Sequence, residues 1–285
     1  MNSIQINRFF NLIRPYVAHP FRVYRNIKWR RASTISNKKH IFIVGCPRSG
    51  TTLLHRMLAL NPALFSPGME SNLFSLREMF SRHWYGLPAK EQERLFAQSV
   101  DVVDFFDGVT DSLMYGLPNV FFVDKTPQYI LKLPYLVHHF PFSSFINVVR
   151  DGRDCFLSSL CHPNVPQRIS VNGFAQYWRR CILVGKKFLD YPRCFELKYE
   201  RLCQDPESEI SRLCAFLGVD YDQDMIKPEL IAGDRRANIS YFSKLKEPIN
   251  SSSCERYKTE MNPSDLRRFL SIAKAELELC GYEIA

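Results

Sequence analysis

The chain has 285 residues, of which 46% are hydrophobic, and a formal net charge of +9 at pH 7. A chain of this length and composition can bury a large core, so we expect one sizeable α/β domain rather than a disordered or fibrous protein. No apolar run approaches the roughly 18 residues that a membrane-spanning helix needs, and we therefore expect a cytoplasmic protein. The nine cysteines contain no C-x-x-C pair, which argues against a zinc site and against a disulfide framework.

Basic residues are concentrated at the beginning of the chain. The first 69 residues contain eleven Lys and Arg, and Glu70 is the first acidic residue. We predict that residues 1–39 form a basic arm packed on a single domain of residues 40–285. A basic field of this kind would attract an anionic ligand. Two alternatives stay open at this stage: a solvated arm without a role in ligand binding, and an organelle-targeting or membrane-surface segment.

The order of apolar runs and amphipathic segments predicts alternating strands and helices. We expect strands at residues 40–44, 120–123, 144–149 and 194–198. We expect helices at 51–60, 70–82, 89–106, 129–139, 155–161, 171–189, 207–217 and 264–279. This alternation predicts a parallel sheet with right-handed crossovers. The stretch 233–254 is rich in Asn, Ser and Pro, which indicates a long loop, and we expect residues 233–258 to act as a lid.

The most informative motif is G-C-P-R-S-G-T-T at residues 45–52, between the apolar run 41–44 and the amphipathic segment 53–58. A strand, a glycine-bounded loop and a helix in this order form a phosphate cradle from backbone N–H groups. In nucleoside triphosphatases a Lys follows the second glycine of such a loop, but here Thr51 has that place. Arg48 is the only cation of the loop. The motif therefore predicts a nucleotide with a short 5′ anionic tail.

A second candidate anion site begins where the apolar run 145–149 ends. Arg150 directly follows this run, and Ser158 comes eight residues later, about two turns along the predicted helix. Open α/β sheets bind ligands beyond the carboxyl ends of their strands. A guanidinium and a hydroxyl in this arrangement can share one phosphate.

Together the two motifs resemble the sulfotransferases that use 3′-phosphoadenosine-5′-phosphosulfate (PAPS), and the pattern is nearest to the tyrosylprotein sulfotransferase branch. The resemblance covers residues 40 to 285 and implies a P-loop-type, three-layer fold with a central parallel sheet flanked by helices. It implies PAPS as cosubstrate, 3′-phosphoadenosine-5′-phosphate (PAP) as product, and no metal. The nucleotide-binding residues that it implies are Arg48, Ser49, Gly50, Thr51 and Thr52 at the 5′ end, Arg150 and Ser158 at the 3′-phosphate, and Tyr199 and Arg256 beside the nucleotide.

Sulfuryl transfer needs a base for the acceptor proton and cations near the leaving oxygen. Arg48 lies in the loop that would contact the leaving phosphate. Lys125 follows the second predicted strand, where the family commonly places a Lys, although an ion pair with Asp124 is an alternative role. The family branch that acts on small phenols has a His two residues after this Lys, but here Pro127 stands there. The resemblance to the tyrosylprotein branch instead implies Glu70 as base, and a helix-capping role is its structural alternative.

The acceptor cannot be read from these motifs. We expect a small polar metabolite or natural product with a hydroxyl or nitrogen, and a protein tyrosine or a carbohydrate is the alternative. His162 stands four residues after Ser158, where the tyrosylprotein branch has an Arg, and could make a weaker contact with the 3′-phosphate. A P-loop kinase of another class and a non-catalytic polyanion-binding protein are further alternatives. We expect no nucleic-acid partner, and the oligomeric state stays open.

Overall fold

The computed structural model describes residues 24, 27–74, 85–117, 120–162, 165–227 and 249–284. Its centre is a five-stranded parallel sheet with the strand order β2-β3-β1-β4-β5. The strands are β1 (Ile41–Gly45), β2 (Leu64–Phe65), β3 (Phe121–Lys125), β4 (Ser144–Val149) and β5 (Cys194–Lys198). The predicted parallel sheet is thus confirmed, and β2 is an additional edge strand that was not predicted.

Helices connect the strands and cover both faces of the sheet. The α-helices that lie wholly within the described residues are α1 (Thr51–Leu58), α2 (Ala89–Gln98), α3 (Val102–Leu113), α4 (Leu133–His139), α5 (Gly152–Leu160), α6 (Val171–Lys186), α7 (Tyr199–Gln204), α8 (Pro206–Leu217), α9 (Tyr257–Glu260) and α10 (Pro263–Leu279). Short 3₁₀ helices lie at Pro127–Lys132, Pro166–Ile169, Gln223–Ile226 and Ser251–Ser253.

Two apolar cores, one on each face of the sheet, give the fold its three layers. Ile41 and Ile43 of β1 point into the core formed with α1, α7 and α8. Phe42 and Val44 point into the larger core formed with α3, α4, α5, α6 and α10. Successive side chains of a strand point to opposite faces, so a strand buried on both faces must be a continuous apolar run. The α/β three-layer fold is confirmed.

The parallel register brings the carboxyl ends of the central strands to one edge of the sheet. Ile43 of β1 pairs with Lys125 of β3, and Gly45 pairs with Val148 of β4. Val149 of β4 in turn pairs with Lys198 of β5. The residues that follow these strands, which include both candidate anion-binding motifs, therefore emerge side by side.

Three of the predicted helices differ from the structure. In the predicted helix 129–139, residues 129–132 belong to the 3₁₀ helix Pro127–Lys132, and only α4 is α-helical. Residues 70–74, at the start of the predicted helix 70–82, are not helical. Asn72 has a left-handed φ of +53°, and the amide of Phe74 donates to the hydroxyl of Tyr129 instead of to a helical carbonyl. Residues 75–82 lie outside the described part. The predicted helix 89–106 is two helices, because Asp101 accepts hydrogen bonds from the amides of Val103 and Asp104 and so begins α3.

Residues 27–39 of the predicted arm pack against the domain. The ring of Trp29 lies 5.5 Å from that of Phe96, and the amide of Ser36 donates to the carbonyl of His139 at 2.8 Å. Residues 1–23, 25 and 26 of the arm lie outside the described part, as do residues 233–248 of the predicted lid. The division into arm, domain and lid stays a prediction. None of the described helices is long and apolar enough to cross a bilayer.

Candidate active site

The loop between β1 and α1 is closed by tight backbone contacts. Gly50 precedes α1 with a left-handed φ of +99°, and a Cβ atom added to it would lie 2.2 Å from the ring of Tyr199. A Cβ atom added to Gly45 would lie 2.5 Å from the carbonyl oxygen of Val148. Both glycines are thus required by close packing. Because α1 begins directly after the loop, its first backbone N–H groups are available to an anion.

Arg48 joins the two sequence motifs. Its Nε donates a hydrogen bond to Oγ of Ser158 on α5 at 3.1 Å. Nη1 of Arg150 donates to the carbonyl oxygen of Arg48 at 3.0 Å. Burial and the neighbouring charge of Arg150 lower the pKa of Arg48. Arg150 thus brings a second positive charge to the backbone of the residue whose own side chain is a cation, and two like charges at one loop favour a bound anion.

Arg150 is a buried cation, and two of its three side-chain nitrogens form hydrogen bonds with described residues. Nη1 and Nη2 donate to the carbonyl oxygens of Arg48 and Ser253, the latter at 2.6 Å. Nε is buried and has no hydrogen-bond partner among the described residues. The guanidinium also lies over the ring of Tyr199, 4.4 Å from its centroid. Buried N–H groups normally have a partner, so the unpaired donor fits an anionic ligand such as a phosphate.

The remaining residues that the resemblance assigns to the nucleotide differ in their burial and in their partners. Ser49 is fully buried, and its hydroxyl has no hydrogen-bond partner within the described ranges. Thr51 is buried and Thr52 is half-buried at the first turn of α1. Arg256 forms a two-pronged ion pair with Glu260, with nitrogen–oxygen distances of 2.8 and 2.5 Å. The guanidinium of Arg256 is thus paired with a residue of α9, the helix that directly follows it. Its expected contact with the nucleotide stays a prediction.

Lys125 and Glu70 form an ion pair at the same edge of the sheet. Nζ of Lys125 lies 2.6 Å from Oε1 of Glu70. The Lys125 side chain is only 3% exposed, whereas that of Glu70 is 41% exposed. The alternative ion pair between Lys125 and Asp124 is not formed, since Asp124 accepts hydrogen bonds from hydroxyl groups instead. A carboxylate open to solvent and paired with a buried ammonium can accept a proton next to a fixed positive charge.

His162 belongs to the same electrostatic environment. Its half-buried imidazole has a pKa lowered to about 4, first by burial and then by the charge of Arg48, with Glu70 opposing and Lys125 reinforcing the shift. The imidazole is therefore neutral near pH 7. This shift is not predictable from the sequence, because the burial of His162 depends on residues that are distant in the chain.

Sequence reasoning did not identify a network of hydrogen bonds behind the Lys125–Glu70 pair. It consists of Ser71, Tyr85, Asp124, Thr126 and Tyr129. The available signal was adjacency: Ser71 follows Glu70, and Asp124 and Thr126 flank Lys125. Among the described residues, no three His, Cys, Asp or Glu side chains are gathered into a candidate metal site.

A parallel α/β fold with an anion-binding loop, paired arginines and a Lys–Glu pair at one edge defines an enzyme that transfers a group from an anionic donor. The donor class follows from comparison with known proteins. The sequence model of the sulfotransferase family matches residues 40–223, and the chain belongs to that family.

Relatives of known class and solved structures of the same fold are also similar to the chain. The chain is 27% identical over 274 residues to protein-tyrosine sulfotransferase 1 of Danio rerio, covering 85% of this chain and 72% of the relative. The sulfotransferase domain of the Synechococcus PCC 7002 olefin synthase has a TM-score of 0.65 and 21% identity, with 90% of this chain and 98% of that chain covered. A mouse sulfotransferase complexed with PAP has a TM-score of 0.54 and 15% identity, with 86% and 87% covered. At these identities the solved structures show the shared fold alone.

Proposed function

We propose that the protein transfers the sulfuryl group of PAPS to the hydroxyl of a tyrosine side chain in a protein or peptide, with Glu70 as base. The observation that carries the proposal is the 2.6 Å pair between Lys125 and Glu70, at the sheet edge where Arg48 and Arg150 also lie. This edge combines a group that can take a proton with groups that can hold an anionic donor.

The donor assignment is supported by the fit between the residues and a nucleotide with phosphates at both ends. The loop 45–52 and Arg48 would hold the 5′-phosphosulfate, and Arg150 with Ser158 would hold the 3′-phosphate. The unpaired, buried Nε of Arg150 is the donor that a 3′-phosphate would satisfy. When bound, PAPS supplies an activated sulfuryl group with a good leaving group.

The two residues of the Lys125–Glu70 pair have different roles in the reaction. The partly exposed Glu70 carboxylate accepts the proton of the acceptor hydroxyl, a contribution typically worth about 10²- to 10⁴-fold in rate. The Lys125 ammonium is buried and already in place, so it can stabilise negative charge that develops on neighbouring oxygens without reorganising. Arg48 provides a second fixed cation on the side of the leaving phosphate.

For the acceptor, the relatives favour a protein tyrosine, which the sequence alone leaves as the alternative. The sequence by itself favours a small polar metabolite. The Danio rerio relative is a protein-tyrosine sulfotransferase and is aligned over 85% of this chain, which is why we place a tyrosine hydroxyl first. Membership of the sulfotransferase family opposes the kinase alternative. The cytoplasmic location stays a prediction.

Binding and transfer can be tested in sequence with the purified full chain. Calorimetric titrations with PAP, ATP and 5′-AMP without magnesium should show PAP as the tightest ligand; equal or tighter binding of ATP would contradict the donor assignment. PAPS labelled in its sulfuryl group is then offered with a tyrosine-containing peptide, the same peptide with Phe in place of Tyr, and a small phenol. We expect label in the tyrosine peptide and none in the Phe peptide. Label in the small phenol alone would overturn the protein-acceptor assignment.

A further inference from the structure

A buried carboxylate lies directly behind the Lys125–Glu70 pair. Asp124 is 1% exposed, and three hydroxyl groups converge on it. Oδ2 accepts from Oγ of Ser71 at 2.6 Å and from the hydroxyl of Tyr85, and Oδ1 accepts from Oγ1 of Thr126 at 2.7 Å. A carboxylate is matched to this site because each of its oxygens only accepts when it is ionised.

The hydrogen bonds form a chain whose direction is fixed at both ends. The amide of Phe74 can only donate, and it donates to the hydroxyl of Tyr129 at 2.9 Å. The Tyr129 hydroxyl lies 2.8 Å from Oγ of Ser71, which in turn donates to Asp124. Burial and the charge of Asp124 raise the pKa of Tyr129, which keeps its hydroxyl protonated. The chain therefore runs from the Phe74 amide through two hydroxyl groups to the Asp124 carboxylate.

This chain connects the two segments that carry the ion pair. Ser71 directly follows Glu70, and Asp124 directly precedes Lys125. Two successive residues of one segment thus bind two successive residues of the other, once through Ser71–Asp124 and once through Glu70–Lys125. Residues 70–74 have neither helical nor strand structure, so side-chain hydrogen bonds replace a backbone ladder in fixing their position.

We propose that Asp124, acting through Ser71, is a positioning residue that holds the Glu70 carboxylate against Lys125 in the orientation needed to accept the acceptor proton. The inference rests on the proposed function, because it takes Glu70 as the base. Asp124 itself is buried, and so are the three side chains of the described residues that donate hydrogen bonds to it. Its effect on the reaction comes from geometry, and small displacements of a reacting group are costly: about 1 Å can lower a rate 10²-fold.

The variants Ser71→Ala and Asp124→Asn test this role. An amide at position 124 would turn an NH₂ group towards hydroxyl donors, so it cannot accept all three hydrogen bonds. A matched control is Ser143→Ala: this buried hydroxyl accepts from the amide of His40 at 3.0 Å and donates to the carbonyl of Lys38 at 3.2 Å, at the opposite edge of the sheet. Each variant is measured for kcat and KM, for PAP affinity by calorimetry, and for amide hydrogen exchange of residues 70–74.

We expect the two variants to lose kcat and to keep their affinity for PAP. Ser71→Ala and Asp124→Asn should lower kcat by about 10- to 100-fold, as expected for a displaced base. PAP affinity should stay within about twofold, since no bond of the Arg48 and Arg150 sites is removed. Amide exchange at residues 70–74 should become faster. Ser143→Ala should leave kcat and this exchange unchanged, whatever it does to global stability.

Two results would overturn the inference. One is unchanged exchange at residues 70–74 in Asp124→Asn, which is measured without any turnover and so does not depend on the proposed function. The other is faster exchange together with wild-type kcat, which would show that the segment is held but that its position is unimportant for proton transfer. Failure of the proposed function has a different signature, namely absence of sulfuryl transfer by the wild-type protein.

Discussion

Nε of Arg48 and Oγ of Ser158 are 3.1 Å apart, and this hydrogen bond spans 110 positions of the sequence. The two residues come from different motifs, the loop before α1 and the last turn of α5. Arg150 strengthens the connection by donating to the carbonyl oxygen of Arg48. Two hydrogen bonds therefore connect the two candidate phosphate sites, and a substitution in one should be checked for its effect on the other.

Arg150→Ala should weaken PAP binding much more than 5′-AMP binding, because 5′-AMP has no 3′-phosphate. Hydrogen bonds to charged groups contribute about 1.5–3 kcal/mol, which corresponds to about 10- to 150-fold in affinity. Ser158→Ala should show the same selectivity with a smaller loss. Calorimetric titration with both nucleotides measures the difference.

Arg179→Ala provides the control for removal of an arginine. Its Nε pairs with Glu276 between α6 and α10, and its side chain is 49% exposed. Equal losses of PAP and 5′-AMP affinity in Arg150→Ala would mean that Arg150 supports the loop through the carbonyl of Arg48 and does not hold a 3′-phosphate.

Glu70→Gln should lose most turnover while it keeps the affinity for PAP. The amide has nearly the same shape but cannot accept the acceptor proton, so kcat should fall by about 10²- to 10⁴-fold. Single-turnover assays with labelled PAPS separate this step from product release. Glu91→Gln, which removes a carboxylate paired with Arg94 on α2, is the control. Full turnover by Glu70→Gln would assign the base to another residue.

Gly50→Ala should lower both stability and PAP affinity, and the loss of stability should exceed the cost of placing an alanine in a left-handed backbone conformation. The added Cβ would meet the ring of Tyr199 at 2.2 Å, and this ring also lies under Arg150. Gly218 is the matched control, since its φ of +71° is also left-handed but a Cβ atom there meets nothing within 4 Å. Gly218→Ala should therefore cost only the conformational term, about 1–2 kcal/mol.

Urea unfolding and PAP titration distinguish the two glycine variants. We expect Gly50→Ala to lose more stability than Gly218→Ala and to lose PAP affinity, which Gly218→Ala keeps. Similar stability and undiminished PAP binding in both would show that Tyr199 can move away from the loop at little cost.

Substitution of His162 should stabilise the protein selectively at acidic pH. Burial and the charge of Arg48 lower the pKa of His162 to about 4, whereas the unfolded value is about 6.5. Between these values the unfolded chain binds a proton that the folded chain does not, so the native state loses stability as the pH falls. His162→Asn removes this loss.

Melting temperatures at several pH values between 5 and 8 test this expectation. The difference between His162→Asn and wild type should increase in favour of the variant as the pH falls from 7 to 5. His138→Asn, which removes an exposed imidazole of α4, corrects for general effects of losing a histidine. A difference that is independent of pH would show that His162 titrates alike in both states.

The sequence predicted the features that depend on local pattern. Strands β4 and β5 have the predicted bounds because each is a contiguous run flanked by clear turns, whereas β2 has two residues and leaves no periodic signal. The helix predicted at 70–82 does not begin at residue 70, because Ser71 and Phe74 are bound by Asp124 and Tyr129, more than 50 positions away. The Glu70–Lys125 distance likewise depends on how the chain folds, so sequence could name these residues but could not show that they meet.

The hydrogen bonds of Asp101 lead to a prediction about the described part of the arm. Its carboxylate begins α3 and also accepts hydrogen bonds from the amides of Ser33 and Thr34, each at 2.9 Å, and from the Thr34 hydroxyl at 2.8 Å. Burial alone would raise the pKa of Asp101, but these donors and the amide of Asp104 outweigh burial and lower it. The stabilisation is therefore present above the unfolded pKa of about 3.9 and is lost as the pH falls below it.

Asp101→Ala should lower the free energy of unfolding and free the arm for proteolysis. Asp205→Ala is the control, because Asp205 begins α8 by accepting from the amide of Ser208 and should cost only the capping contribution of about 1 kcal/mol. At pH 7 we expect Asp101→Ala to cost about 3 kcal/mol, since the arm contacts are lost as well. Trypsin should also cleave after Arg30 and Arg31 faster than in wild type or Asp205→Ala. Equal cleavage rates in all three proteins would show that Asp101 does not hold the arm, and that the arm is retained by other contacts such as the packing of Trp29 on Phe96.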